Sequence, residues 1–117
     1  MLGAYRTSCA VCSFRHGDLL DAAHIKEDHD GGRPVVTNGM TLCKMHHAAY
    51  DRRILGISPD YEVRINTDVL HEIDGPMLRH GIQEFHGKEL MVLPERRSQK
   101  PDRDLLAQRF QAFLEAS

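Results

Sequence analysis

The sequence contains no tryptophan, few aromatic residues and only three cysteines. At 117 residues it fits one small domain with a marginal core, and such a domain often needs a metal ion or a partner for stability. Three cysteines cannot all pair within one chain, and a reducing compartment disfavours any disulfide. We therefore do not expect a disulfide-stabilised fold.

Long apolar runs are also missing. None approaches the roughly 20 residues that a membrane span requires, so no membrane association is expected. The first residues, MLGAYRTSC, lack an apolar segment followed by a cleavage site, so we expect a cytoplasmic protein rather than a secreted one. The net charge of −2 neither favours nor excludes nucleic acid, because binding depends on local basic patches.

Basic residues gather at Lys44, Arg52 and Arg53 and again over 96–103. Taken alone, each group is more simply a solvated face that nearby acidic residues balance. Such groups become candidates for phosphate contacts only if other residues indicate a nucleic-acid site.

The patterning predicts an α+β domain. Short apolar stretches predict a strand over 19–25, two strands within 54–66 and another over 87–94. Residues 26–36 carry Gly-Gly and Pro and indicate a loop. Residues 44–53 are good helix formers without glycine or proline, and they predict a helix.

A second, amphipathic helix is predicted over 102–115, with Asp102 as its N-cap. One face of it carries a stripe, which consists of Leu105, Leu106, Arg109, Phe110, Phe113 and Leu114. The stripe could pair two copies in a homodimer or cover the chain's own core. For a domain this small we favour the second.

The cysteines have the spacing of a zinc site. Structural zinc takes four tetrahedral Cys or His ligands, usually as two close pairs. Cys9 and Cys12 form CxxC, and Cys43 and His46 form CxxH. The alternative is that the cysteines are buried small hydrophobes. Either His46 or the adjacent His47 could be the fourth ligand, and the spacing favours His46.

Four residues, His47 among them, could contribute chemistry. On a helix, His47 and Asp51 share a face and could hold a divalent ion, although an ordinary hydrogen-bonded pair is the simpler explanation. His24, at the end of a predicted strand, could be a core residue or a general base. Asn38, before a glycine, could be a turn residue or could fix a loop through its side chain.

These residues together resemble a known family. The order CxxC, His24 in DAAHI, Asn38 in NGMTLC and His47 in CKMHH is similar to the HNH endonucleases. The stretch LLDAAHI…NGMTLCKMHHAAYDRRILGI resembles the HNH modules of bacterial restriction endonucleases, including modification-dependent ones. The resemblance covers 5–57 strongly and 58–117 more weakly, as a C-terminal extension of a single domain.

The resemblance implies a ββα-metal core, in which a β-hairpin and a helix clamp one divalent ion. His24 would then be the general base, and Asn38 would orient that base or the loop. His47 would bind the catalytic ion. The zinc knuckle of Cys9, Cys12, Cys43 and His46 would hold the hairpin against the helix.

The chain departs from the family pattern at one position. Many members carry Asp or His directly before the base, where it binds the metal, and this chain has Ala23 there. Asp51 is our candidate to replace it, because some members use a second ligand four residues after the helix histidine. Asp21 is a weaker candidate, since a residue three positions before His24 on a strand should point to the opposite side.

We therefore expect a DNA endonuclease with a structural Zn²⁺ and a catalytic Mg²⁺ or Mn²⁺ held by His47 and Asp51. Lys44, Arg52 and Arg53 would contact flanking phosphates. A larger restriction enzyme could supply the sequence specificity. The first alternative is a zinc-stabilised DNA-binding module without catalysis, and a weaker one is an interaction protein whose C-terminal helix docks a partner.

Overall fold

A β-hairpin and the helix that follows it form the centre of the fold. The computed structural model describes residues 2–117. Strand β1 (Leu20–His24) pairs antiparallel with strand β2 (Gly39–Cys43). Helix α1 (Lys44–Asp51) begins directly after β2, and the Cys43 side chain caps it. The predicted strand, loop and first helix are therefore confirmed.

The register of the hairpin separates two groups of candidate residues. His24 lies opposite Gly39 at the loop end, whereas Leu20 lies opposite Cys43 at the other end. All five residues of β2 are buried, which shows that both of its faces are covered. The candidate base and the zinc ligand Cys43 consequently lie at opposite ends of one short hairpin.

The rest of the chain adds a second hairpin and three helices. Strands β3 (Leu55–Ile57) and β4 (Val63–Ile65) pair antiparallel. They are followed by helices α2 (Thr67–Leu70), α3 (Gly75–Gly81) and α4 (Arg103–Ala116). Within residues 2–117, no helix has the length and apolar character needed to cross a bilayer.

The prediction of a strand over residues 87–94 is wrong. This segment makes one isolated bridge, between Glu62 and Glu89, and then leaves β4. The backbone N–H of Met91 donates to the Ala10 carbonyl at 2.8 Å. Leu90 and Val92 are therefore buried in the core from a loop whose second half is bonded to the CxxC turn and not to a partner strand.

Helix α4 covers the chain's own core, as its stripe predicted. The Asp102 side chain accepts hydrogen bonds from the first turn and so caps the helix as expected. Leu106 and Phe113 are buried, and α4 packs on β3. A Cβ atom on Gly56 of β3 would lie 2.5 Å from Cγ of Phe113, so only glycine leaves room for that ring.

This contact predicts the cost of a single methyl group. Gly56→Ala should lower the free energy of unfolding by about 1–3 kcal/mol, because the added carbon overpacks the interface with α4. Gly17→Ala is the matched control, since nothing lies within 4 Å of its added Cβ. Urea denaturation of the zinc-loaded proteins measures both changes. Equal midpoints for the two variants would contradict the close packing.

Candidate active site and metal centre

Four side chains from three segments form a compact set of metal ligands. Cys9 and Cys12 come from the turn before β1, Cys43 ends β2, and His46 lies in the first turn of α1. Their donor atoms all lie within 4.8 Å of one another. Donors of a tetrahedral zinc ion with bonds of 2.0–2.3 Å lie roughly 3.5 Å apart. The set therefore fits a structural Cys3His zinc site.

The His46 ring is oriented for this role. Its Nδ1 lies 3.2 Å from Sγ of Cys43 and 3.6 Å from Sγ of Cys9. Its Nε2 lies 2.7 Å from the Gly81 carbonyl, which accepts the Nε2 proton. Metal-binding histidines commonly donate their second nitrogen in this way, which fixes the tautomer and the ring orientation. Helix α3, which ends at Gly81, thus supports the metal centre.

The protons of the free ligand set are strongly coupled. Hydrogen bonds from Cys12 and then Cys9 lower the pKa of Cys43, whereas bonds to Cys43 and Cys9 raise the pKa of Cys12. Burial lowers the pKa of His46, but its hydrogen bonds to Cys43 and Cys9 outweigh this and raise it to about 10. Zinc binds the deprotonated ligands, so its binding releases protons and weakens in acid.

The neighbouring His47 lies between two carboxylates. Its Nδ1 is 2.8 Å from Oδ2 of Asp21, and its Nε2 is 3.2 Å from Oδ2 of Asp51. Asp21 also pairs with the Lys44 ammonium group. The hydrogen bond from His47, and then that from Lys44, lowers the pKa of Asp21. The structure thus brings His47 and Asp51 together as predicted and adds Asp21, the weaker candidate, on the other side of the ring.

These donors fit one divalent ion. Adjacent ligands of an octahedral ion with bonds of about 2.1 Å lie roughly 3 Å apart, close to the separation of His47 Nε2 and Asp51 Oδ2. Asp21, on Nδ1, has the position of a carboxylate that orients a metal-binding histidine. Ala23 is fully buried and offers no donor. Water and substrate would therefore supply the remaining ligands.

His24 and Asn38 lie at the two ends of the loop that joins β1 and β2. His24 is partly exposed at the end of β1. Asn38 is buried, and its Oδ1 accepts from the Lys26 N–H at 2.8 Å. Its Nδ2 donates to the carbonyls of Lys26 and Arg33 at 2.9 and 2.8 Å. The Asn38 amide therefore fixes the chain directly after His24, the loop-orienting role that the resemblance allowed.

Comparison with known proteins identifies this arrangement. Residues 9–58, which include the zinc ligands, His24, Asn38 and His47, match the family described as HNH endonuclease. The chain therefore contains a segment that matches the HNH endonuclease family, and this segment makes up less than half of its length. The α+β fold with its ββα core agrees with the sequence prediction.

A solved structure shares the fold of this chain. The modification-dependent TagI restriction endonuclease aligns with a TM-score of 0.64 and 18% identity. The alignment covers 92% of this chain and 34% of that one, so the chain spans about a third of the length of its structural neighbour. No curated protein matches the sequence.

The basic residues that the sequence singled out lie near this site. Lys44 and His47 both contact Asp21. Arg53 and Asp51 line one cavity of about 530 Å³, and Arg52 is exposed at the end of α1. All three predicted phosphate-binding residues thus border α1.

Sequence reasoning missed one residue that contacts the site. The Arg109 guanidinium, from α4, bonds Asp51 and the backbone carbonyl of His24. The available signal was a charged residue within the otherwise apolar stripe of the predicted helix. The stripe as a whole predicts only a packing face, so Arg109 does not stand out as a site residue.

The metal centre predicts distinct effects for its ligands. Cys43→Ser should lose zinc and most of the folded structure, because structural zinc contributes folding free energy directly. Metal analysis of the purified protein and circular dichroism measure the two losses. A folded Cys43→Ser protein with full zinc occupancy would contradict the assignment.

The adjacent histidines are the matched control for this test. His46→Ala should lose zinc, whereas His47→Ala should retain it, since only His46 faces the cysteines. Loss of zinc from His47→Ala and not from His46→Ala would instead make His47 the fourth zinc ligand.

Proposed function

We propose that the chain is a metal-dependent DNA endonuclease, in which His24 is the general base and His47 and Asp51 hold a catalytic Mg²⁺ or Mn²⁺. The observation that carries the proposal is the pair of donor atoms, His47 Nε2 and Asp51 Oδ2, 3.2 Å apart on α1. Asp21 supports it from the opposite side of the same imidazole.

The residues divide the hydrolysis between them. His24 takes a proton from water as the water oxygen attacks phosphorus, and the bond from phosphorus to the 3′-oxygen breaks. The leaving oxygen takes up a proton, which gives the 5′-phosphate and 3′-hydroxyl ends that the family resemblance implies. The bound ion would neutralise the charge that develops on the phosphate and the leaving oxygen.

Other residues hold these groups in place. Asp21 accepts a hydrogen bond from Nδ1 of His47, which leaves Nε2 directed toward Asp51. Asn38 fixes the loop that follows His24. Both are positioning residues, because neither needs to touch the reacting atoms.

Lys44, Arg52 and Arg53 are proposed to contact DNA phosphates beside the site. The Lys44 pair with Asp21 is solvent-exposed on the lysine side, and such pairs contribute little stability. A DNA phosphate could therefore replace Asp21 as the partner of the Lys44 ammonium group at little cost in stability. Such contacts position the strand without reading bases.

The DNA specificity is proposed to come from another part of a larger restriction-type enzyme. This chain spans about a third of the structural neighbour's length, and that neighbour is described as a modification-dependent restriction endonuclease. The proposal rests on that likeness in fold.

Replacement of His24 tests the catalytic role. His24→Ala should slow cleavage of plasmid DNA by roughly 10²–10⁴-fold, the usual contribution of a general base. Zinc content, DNA affinity and fold should stay close to wild type, because the base acts on water and not on the bound strand. Gel assays with added Mg²⁺ or Mn²⁺ measure the rate.

The control is His71→Ala, which removes an exposed histidine bonded to the Thr67 carbonyl in α2. It should cleave at the wild-type rate. Wild-type cleavage by His24→Ala would refute the mechanism, and cleavage by neither variant nor wild type at any metal concentration would favour the zinc-stabilised binding module.

Replacement of Asp51 tests the metal site. Asp51→Ala should raise the Mn²⁺ concentration for half-maximal cleavage at least tenfold, since changes to residues that merely support a ligand already cost roughly 10–100-fold. Zinc should remain bound. Asp60→Ala, at a side chain that is 85% exposed in the turn between β3 and β4, is the control. An unchanged metal titration for Asp51→Ala would exclude Asp51 as a ligand.

A further inference from the structure

Arg109 lies well outside residues 9–58, which match the family. Its guanidinium nevertheless contacts the backbone carbonyl of His24 and the carboxylate of Asp51. We propose that Arg109 is a positioning residue that orients Asp51 toward the catalytic ion, so that the C-terminal helix completes the active site. The inference rests on the proposed role of Asp51 as a metal ligand.

One guanidinium joins the end of β1 to the end of α1. Its Nη1 donates to the carbonyls of His24 and Ile25 at 3.2 and 3.0 Å. Its Nη2 donates to the Tyr50 carbonyl at 3.2 Å and to Oδ1 of Asp51 at 3.1 Å. The planar group therefore ties the segment that carries the candidate base to the helix that carries the candidate ligands.

The Arg109 side chain is held firmly in this position. It is only 19% exposed, and its Cζ lies 4.0 Å from the centre of the Tyr50 ring. Leu106 and Phe113, three residues before and four after it on α4, are buried in the core. Packing of the helix thus places the guanidinium before any ion or substrate binds.

The contact assigns different tasks to the two carboxylate oxygens of Asp51. Oδ1 accepts from Arg109, and Oδ2 faces Nε2 of His47. The terminal torsion of an aspartate is broad, and the Asp51 side chain is 44% exposed. Arg109 therefore restricts a rotation that would otherwise turn Oδ2 away from the ion.

Arg109 also exerts an opposing effect, because its positive charge repels a divalent cation. Glu27 Oε1, 3.9 Å from Nη1, and Asp51 itself partly offset that charge. The two effects predict opposite results when the charge is removed. Loss of orientation weakens binding of the ion, whereas relief of repulsion strengthens it. The guanidinium hydrogen bonds to the His24 carbonyl and to Asp51 favour the orienting effect.

The experiment measures Mn²⁺ binding to the zinc-loaded chain without DNA, by the loss of the free-ion electron paramagnetic resonance signal. Arg109→Gln should raise the dissociation constant roughly 10–100-fold. Arg109→Lys keeps the charge but not the planar set of donors, so it should bind Mn²⁺ nearly as weakly. Arg103→Gln, on the same helix with a side chain 65% exposed, should bind as wild type.

A double-mutant comparison then tests whether Arg109 acts through Asp51. In an Asp51→Asn background, Arg109→Gln should cause little further loss, because coupled residues are not additive. Equal losses in both backgrounds, or unchanged or tighter Mn²⁺ binding by Arg109→Gln, would overturn the proposal. If Arg109→Gln does not fold, Arg109→Lys carries the same comparison.

The same data separate this inference from the proposed function. Wild-type Mn²⁺ binding by Asp51→Asn alone would refute the metal site itself and, with it, the role of Arg109. A strong effect of Asp51→Asn with none for either Arg109 variant would refute only the positioning role.

Discussion

The Cys3His ligand set is the constraint on which the rest of the molecule depends. It joins the turn before β1, the end of β2 and the first turn of α1. Adjacent residues of a helix point about 100° apart. Once His46 faces the cysteines, the direction of His47 is therefore determined, and it meets Asp21 and Asp51. A ligand set with no proposed part in the chemistry thereby sets the geometry of the residues proposed to perform it.

The sequence predicted those parts of the molecule that depend on local spacing. CxxC, CxxH and the separation of His47 from Asp51 are short-range patterns with direct geometric meaning, and the structure brings each set together. The contacts of His47 with Asp21, of His46 with Gly81 and of Asp51 with Arg109 span 26, 35 and 58 residues. No periodicity encodes such contacts, because they depend on how separate elements pack.

The incorrect prediction of a strand over 87–94 has a related cause. Residues 87–94 have the composition of a strand, but a strand also needs a free edge with which to pair. The bridge next to β4 is limited to Glu62 and Glu89, and after Leu90 donates to Tyr61 the next backbone donors, Met91 and Val92, turn to Ala10. Leu90 and Val92 are buried, as alternate side chains of a strand would be. Burial follows from composition, whereas pairing depends on the neighbours that the fold provides.

The C-terminal helix links stability to the proposed chemistry. A domain of this size buries little apolar surface, and α4 supplies part of its core through Leu106 and Phe113. The same packing fixes Arg109 against Asp51 and the end of β1. The CxxC turn, the hairpin and α1 together supply all four candidate zinc ligands, but without α4 the Asp51 carboxylate would lose the contact that restricts its rotation. The segment outside the family match is therefore part of what organises the site, because the helix that covers the core is also the helix that contacts the carboxylate.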